Sequence, residues 1–177
     1  ITPTNYIANK AKTRYDKLDK FQVVSNGVLP CAVMPVADQE SDRMLFVGNF
    51  RSYKGFDILI SVLTAKVNVF SGIKLEVVTN ESKERIAWAL SQLVNFPNVR
   101  FHHSPSDQTL SDIRSRCKYA LVPSREEGFG LPLIESIYAN LIPVYPRIDV
   151  FSEIMETQEA GLSYRPGDDL ALSSILE

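Results

Sequence analysis

The sequence predicts an α/β fold: a Rossmann-like parallel sheet with helices on both faces. Three observations carry this. Short apolar runs alternate with stretches of helical periodicity at least five times along the chain. The runs are near-continuously apolar rather than alternating, as strands covered on both faces must be. The 177 residues are 45% hydrophobic and 23% charged, a globular composition that excludes disorder and lets one domain bury roughly 70% of its unfolded surface.

The elements follow in order. Met44 to Gly48 (MLFVG) reads as a buried strand ending in glycine. From Lys54 to about Ser71, Phe56, Leu59, Ile60, Leu63, Val67 and Phe70 recur at helical spacing. Lys74 to Thr79 (KLEVVT) is the second strand. Ser82 caps a helix running to about Asn95, with Ile86, Ala89, Leu90 and Leu93 on one face, and Pro97 ends it. Val99 to His103 is the third strand; Ser106 or Asp107 opens a helix with Leu110, Ile113 and Cys117 inward. Tyr119 to Pro123 is the fourth strand, 131–140 a short helix, Ile142 to Tyr145 the fifth strand and 149–157 a further helix. Gly161 to Tyr164 is the last short strand, followed by a helix over 168–176. Trp88 is expected to pack inside.

The first 43 residues differ. Residues 5–18 read as a polar helix, 21–25 as strand and Asn26-Gly27 as a turn, while Pro30, Pro35 and the acidic stretch 38–42 read as a linker. The chain starts at Ile1 without a signal-peptide pattern, which suggests a piece of a longer protein.

Several function classes fall away. The net charge of −2 disfavours a nucleic-acid binder. No apolar run approaches the about 20 residues of a membrane span. Two cysteines, Cys31 and Cys117, make no disulfide framework and favour a reducing compartment, hence a cytoplasmic location. His102 and His103 are adjacent on a strand and point to opposite faces, so they form no shared ligand set. No metal site is expected.

Two loops carry the chemistry. Pro123 to Glu135 (PSREEGFGLPLIE) leaves the fourth strand and enters a helix, at the carboxyl edge where open parallel sheets bind ligands. Gly128 and Gly130 let the backbone approach a ligand, and Pro132 suits a first helical turn. The N–H groups of Phe129, Gly130 and Leu131 then favour an anion by about 0.3–1 kcal/mol, or ~2 when partly buried. Glu127 and Glu135 can face the same cleft, where carboxylates suit vicinal hydroxyls. After the first strand, Gly48 to Gly55 (GNFRSYKG) brings the cations Arg51 and Lys54 to the same edge, placed to meet phosphates. Arg125 reads as an exposed ion-pair partner.

Residues 44–170 resemble the C-terminal domain of the large retaining family of nucleotide-sugar glycosyltransferases with two facing Rossmann-like domains (GT-B fold, family 4 type, glycosyltransferase group 1). The carrying pieces are FVGNFRSYKGFDILI, the Glu127-x7-Glu135 motif within PSREEGFGLPLIES, and NLIPVYPRIDVFSEIM followed by AGLSYRPGDDLAL; NGVLP at 26–30 looks like the inter-domain segment. The resemblance implies that residues 1–43 are an N-terminal-domain edge and linker, and 44–177 the nucleotide-sugar-binding domain. It implies Glu127 as the catalytic residue at the donor hydroxyls and Glu135 on the ribose diol. The diphosphate would meet Lys54 and the Phe129, Gly130 and Leu131 amides. The implied donor is a GDP- or UDP-linked hexose. The acceptor, a glycan or lipid-linked group, would be bound by a missing domain, which also leaves open a peripheral place at the membrane. No metal is implied, and no Asp-x-Asp triplet occurs.

The chain departs from the family pattern at Asn49, where an arginine usually follows the glycine; Arg51 is the candidate replacement. A degenerate, non-catalytic binding domain therefore stays open as the alternative. A dinucleotide-dependent oxidoreductase fits less well, because no Gly-x-Gly-x-x-Gly follows the first strand. A nucleotide-sugar epimerase shares the two-domain fold but fits the Pro123–Glu135 segment less well.

Overall fold

A computed structural model describes residues 1–14, 22–27, 39–156 and 160–177. Six strands form one parallel sheet in the order β3-β2-β1-β4-β5-β6. They are β1 (Glu40–Val47), β2 (Lys74–Thr79), β3 (Val99–His103), β4 (Cys117–Leu121), β5 (Ile142–Pro146) and β6 (Leu162–Tyr164). Helices α2 (Phe56–Ala65), α3 (Lys83–Gln92), α4 (Asp107–Arg116), α5 (Leu131–Tyr138), α6 (Asp149–Met155) and α7 (Asp169–Leu176) follow the strands; α1 (Asn5–Arg14) precedes them. This is the Rossmann-like architecture the alternation predicts.

Successive side chains on each strand feed two cores. Met44, Phe46, Leu75 and Val77 point to one face and pack with Phe56, Leu59 and Leu63 of α2, Ala89 of α3, and Leu172 and Leu176 of α7. Leu45, Val78 and Ala120 point to the other, against Ile113 of α4 and Cys117. Val122, Leu133, Tyr145 and Phe151 join α5 and α6 to the sheet. Phe50 stacks on Phe56 at a centroid distance of 4.2 Å, and Phe46 packs tilted against Phe56 at 5.0 Å, by the loop after β1. Such pairs add about 0.5–1.5 kcal/mol each beyond buried area.

The strand order fixes the site. β1 lies between β2 and β4, so the chain turns in opposite directions on leaving β1 and β4. The two loops diverge there and open a crevice at the carboxyl edge.

Several boundaries differ from the expectations. β1 begins at Glu40, so residues 40–42 are strand rather than linker. Their charges are matched locally: Lys74 Nζ lies 2.7 Å from Glu40 and 3.1 Å from Asp42, and Arg43 lies 2.8 Å from Glu40. The expected helix from Lys54 is α2 flanked by 3-10 turns at Ser52–Lys54 and Val69–Gly72. Gly55 interrupts it in the left-handed region (φ 71°), yet Phe70 stays buried through the second turn. α3 ends at Gln92 and leaves Trp88 and Leu90 exposed while Ala89 and Leu93 are buried, so Trp88 is not a core residue. Cys117 opens β4 instead of lining α4; it is buried, and burial pushes its thiol up to about 12. The caps hold as read: Ser82 Oγ accepts from Arg85 N–H and Ser106 Oγ from Thr109 N–H. Phe21, Pro30, Cys31, Pro35 and Thr157 lie outside the described residues.

Candidate active site

The crevice is a cleft of ≈ 510 Å³ between the loop after β1, the ends of β2 and β3, and the β4–α5 turn. Gly48, Asn49 and Lys54 line it from the first loop; Glu127, Phe129, Gly130, Leu131, Pro132 and Glu135 line it from the β4–α5 side. Its far end is formed by Val78, Thr79, Asn80, Ser104 and Pro105.

Backbone chemistry sets both loops. Phe50 N–H donates to Glu81 Oε1 at 2.7 Å, and the Arg85 guanidinium returns a bond to the Phe50 carbonyl at 3.0 Å, which clamps the first loop onto α3. Gly55 touches the end of β4 so closely that a Cβ there would stand 2.0 Å from the Pro123 carbonyl oxygen. Arg125 N–H donates to the Tyr53 carbonyl at 2.8 Å and joins the two loops. Gly130 enters α5 at φ 79°, and an added Cβ would lie 2.8 Å from the Phe151 ring. Its glycine character thus serves the turn and the approach of α6 rather than room for a ligand. Pro132 lies at the N-terminus of α5, as read.

Lys54 and Glu127 meet across 73 residues of sequence: Lys54 Nζ is 2.6 Å from Glu127 Oε1. Both side chains are largely covered, at 16% and 8% exposure. The buried Ser124 hydroxyl donates to the same oxygen at 2.8 Å. Two donors therefore converge on Oε1 and orient the carboxylate. Glu135 is held from α4, with Arg114 Nη2 2.6 Å from its Oε2.

Most of the expected site residues come together here, but two do not line the cleft. Arg51 is exposed: its extended backbone and the 3.2 Å bond from its N–H to Asn49 Oδ1 place Asn49, not Arg51, on the cleft. Gly128 faces α1 instead, its carbonyl accepting the Thr4 hydroxyl at 3.1 Å. Arg125 forms a two-pronged ion pair with Asp57 at 2.7 and 2.8 Å and holds that carboxyl below its usual range.

Sequence reasoning missed Ser124 and Arg114 as supports of the two carboxylates. The serine follows the strand at a fixed offset from Glu127, a signal that was available; Arg114 points across a helix pair and had none. It also missed the buried Glu76. Arg43 and His102 satisfy that carboxylate, His102 Nε2 lying 2.6 Å from Oε2, so His102 serves the sheet and not the cleft. Among the described residues no group of three or more His, Cys, Asp or Glu side chains is placed to hold a metal ion. Among them, too, no helix is long and apolar enough to cross a membrane.

Known proteins are similar to this chain in sequence and fold. A mannosyltransferase of Komagataeibacter xylinus, GDP-mannose:cellobiosyl-diphosphopolyprenol alpha-mannosyltransferase, is 26% identical over 97% of this chain and 47% of its own length. The phosphatidyl-myo-inositol mannosyltransferase of Mycobacterium leprae is 26% identical over 75% of this chain and 36% of its own. The chain thus spans less than half the length of these relatives. The crystal structure of TarM superposes with a TM-score of 0.81 at 20% identity, covering 99% of this chain and 35% of TarM, a likeness of fold. Residues 35–177 match the family described as Glycosyl transferases group 1, and with most of its length inside that match the chain belongs to this glycosyltransferase family.

Proposed function

We propose that the chain is the donor-binding domain of a retaining, metal-independent glycosyltransferase. It holds a nucleotide diphosphate sugar, GDP- or UDP-linked, while a further domain binds a glycan or lipid-linked acceptor. The observation that carries this reading is the convergence of Lys54, Glu127, Glu135 and the α5 N-terminus on one cleft. Residues 44–177 form the binding domain in this reading, and residues 1–43 the edge and linker of the other.

Each residue has a role. The Phe129, Gly130 and Leu131 amides and Lys54 stabilise the diphosphate, and hence the leaving nucleotide, with donors and a cation where other enzymes use a metal. Glu127, its Oε1 occupied by Lys54 and Ser124, presents Oε2 to the hydroxyls of the transferred hexose. Glu135 accepts from the ribose diol while Arg114 holds its other oxygen. The Komagataeibacter relative is named for GDP-mannose, which makes GDP the first nucleotide to test.

Amide chemical-shift mapping of the chain with GDP, UDP and ADP tests this. Shifts at Gly48–Gly55, Thr79–Asn80 and Glu127–Glu135 are expected; shifts elsewhere, or none, contradict it. In the protein with its acceptor domain, Glu127→Ala abolishes transfer; unchanged turnover refutes its role. A second reading, a degenerate domain that no longer transfers sugar, draws on Asn49: among the described residues the cleft is lined by one cation, Lys54, already paired to Glu127. Nucleotide binding without turnover in the complete protein favours it.

A further inference from the structure

Glu127 also lines a second cleft on its other side. This cleft measures ≈ 230 Å³ and is bounded by Tyr6 of α1, the Arg125–Glu127 turn, Arg147 to Val150 and Pro166. Most of its charges are already matched. Glu126 pairs with Lys10, Glu127 with Lys54, and Arg125 with Asp57. Two are not: the Arg147 and Asp149 side chains have no hydrogen-bond or ion-pair partner among the described residues. They are one cation and one anion, placed two residues apart where β5 gives way to α6. A smaller hollow of ≈ 80 Å³ adjoins, sharing Arg125 and Pro166. It is lined by Tyr164, whose hydroxyl is buried and has no hydrogen-bond partner among the described residues. A buried polar group without a partner is rare and costly, which marks this hollow as a place where a polar atom belongs.

The chemistry selects a ligand class. An anion meets Glu126, Glu127 and Asp149; a cation meets Arg125 and Arg147. A neutral polyol satisfies both, accepting from Arg147 and donating to Asp149. Tyr6, whose ring carries Lys10 Nζ 5.7 Å from its centroid, adds aromatic surface to the lining. The first cleft, at ≈ 510 Å³, has its own cation and amides and is lined by Glu127 as well.

We infer that the Tyr6–Arg147–Asp149 cleft is a second carbohydrate subsite, which binds a hexopyranoside unit of the acceptor against the face of Glu127 opposite the nucleotide. It rests on reading the first cleft as the donor site, but its test is separate.

The test is titration of the chain with methyl α-D-mannopyranoside and methyl α-D-glucopyranoside, with and without saturating GDP, followed by amide shifts. The expected result is shifts at Tyr6, Arg147–Val150 and Tyr164–Gly167 with a hexoside alone. Arg147→Ala then weakens the hexoside about tenfold, as loss of one charge-assisted bond does, and leaves GDP binding within about twofold. Shifts at these residues only with GDP-mannose or UDP-glucose, and never with a hexoside, make the cleft an extension of the donor site and overturn the inference. No shift with any sugar also overturns it, while nucleotide binding in the first cleft leaves the donor reading intact. Hexoside binding in a chain that binds no nucleotide contradicts the donor reading alone.

Discussion

Replacing Glu127 by glutamine separates its two roles. In the free site Lys54 is committed to Glu127, at 2.6 Å with both side chains largely covered. A diphosphate that recruits Lys54 must break or weaken this pair and must lie near the Glu127 carboxylate. Charge-assisted bonds of this kind contribute about 1.5–3 kcal/mol net. Glu127→Gln keeps an oxygen for Ser124 and the volume of the site but removes the charge. It should therefore raise the affinity for GDP or UDP, by up to about tenfold, 1.4 kcal/mol being one decade. Lys54→Ala removes the cation and leaves Glu127 partly uncompensated; it should weaken the same nucleotide by about ten- to hundredfold. The two substitutions thus act in opposite directions on bare nucleotide. For a nucleotide sugar, Glu127→Gln should forfeit the gain that the sugar adds. Isothermal calorimetry on the two variants and the parent chain reads all of this. Equal weakening of bare nucleotide by both variants would refute the claim that Glu127 faces the sugar rather than the phosphates.

The remaining expectations concern the supports of the site. Ser124→Ala deletes the buried 2.8 Å bond to Glu127 and should cost about 1 kcal/mol in urea unfolding, with Ser124→Thr recovering part of it; no change would show that the bond does not orient the carboxylate. Gly130→Ala places a Cβ in the left-handed region and against Phe151, so strain and overpacking together should cost about 2–5 kcal/mol; a neutral result in the same assay would contradict the described turn. Asp57 is held down by the Arg125 hydrogen bonds, so this pair stabilises the fold above the usual aspartate value of 3.8 and is lost as the pH falls through the lowered value. Both side chains are about half exposed, which limits the pair to about 0.2–1 kcal/mol. Asp57→Asn should remove that increment at neutral pH and flatten the acid limb of the stability curve; an unaltered limb would contradict it.

The fold was legible because its strands are covered on both faces. KLEVVT and MLFV are apolar runs too short for helices, and each is followed by a capped or glycine-led helix. Even so, KLEVVT carries Glu76, a charge in an otherwise buried strand. That was a visible anomaly, but its partners Arg43 and His102 come from neighbouring strands and no local pattern names them. The start of β1 was missed for a related reason. Residues 40–42 are too acidic to read as strand until Lys74 is placed across from them and Arg43 beside Glu40 on the same strand. Trp88 was misplaced because its large apolar ring suggested core, whereas α3 turns Ala89 and Leu93 inward and leaves it outside.

In the site, the motif brought Glu127, Glu135 and the α5 amides to one edge, since all lie within one strand–turn–helix unit. Lys54 was placed by its own loop, but its contact with Glu127 depends on Gly55 packing against Pro123, an approach only the folded chain shows. Arg51 does not line the cleft, because position along a loop does not fix which way the loop turns. The Asn49 side chain captures the Arg51 amide and takes the inward place.

The most direct test of the central claim is calorimetric titration of the chain with GDP, UDP and ADP, repeated on Lys54→Ala and Glu135→Ala. The account predicts that one nucleotide binds selectively and that both substitutions weaken it about tenfold or more. Binding of no nucleotide, or binding that neither substitution alters, would contradict the assignment of this cleft as the donor site.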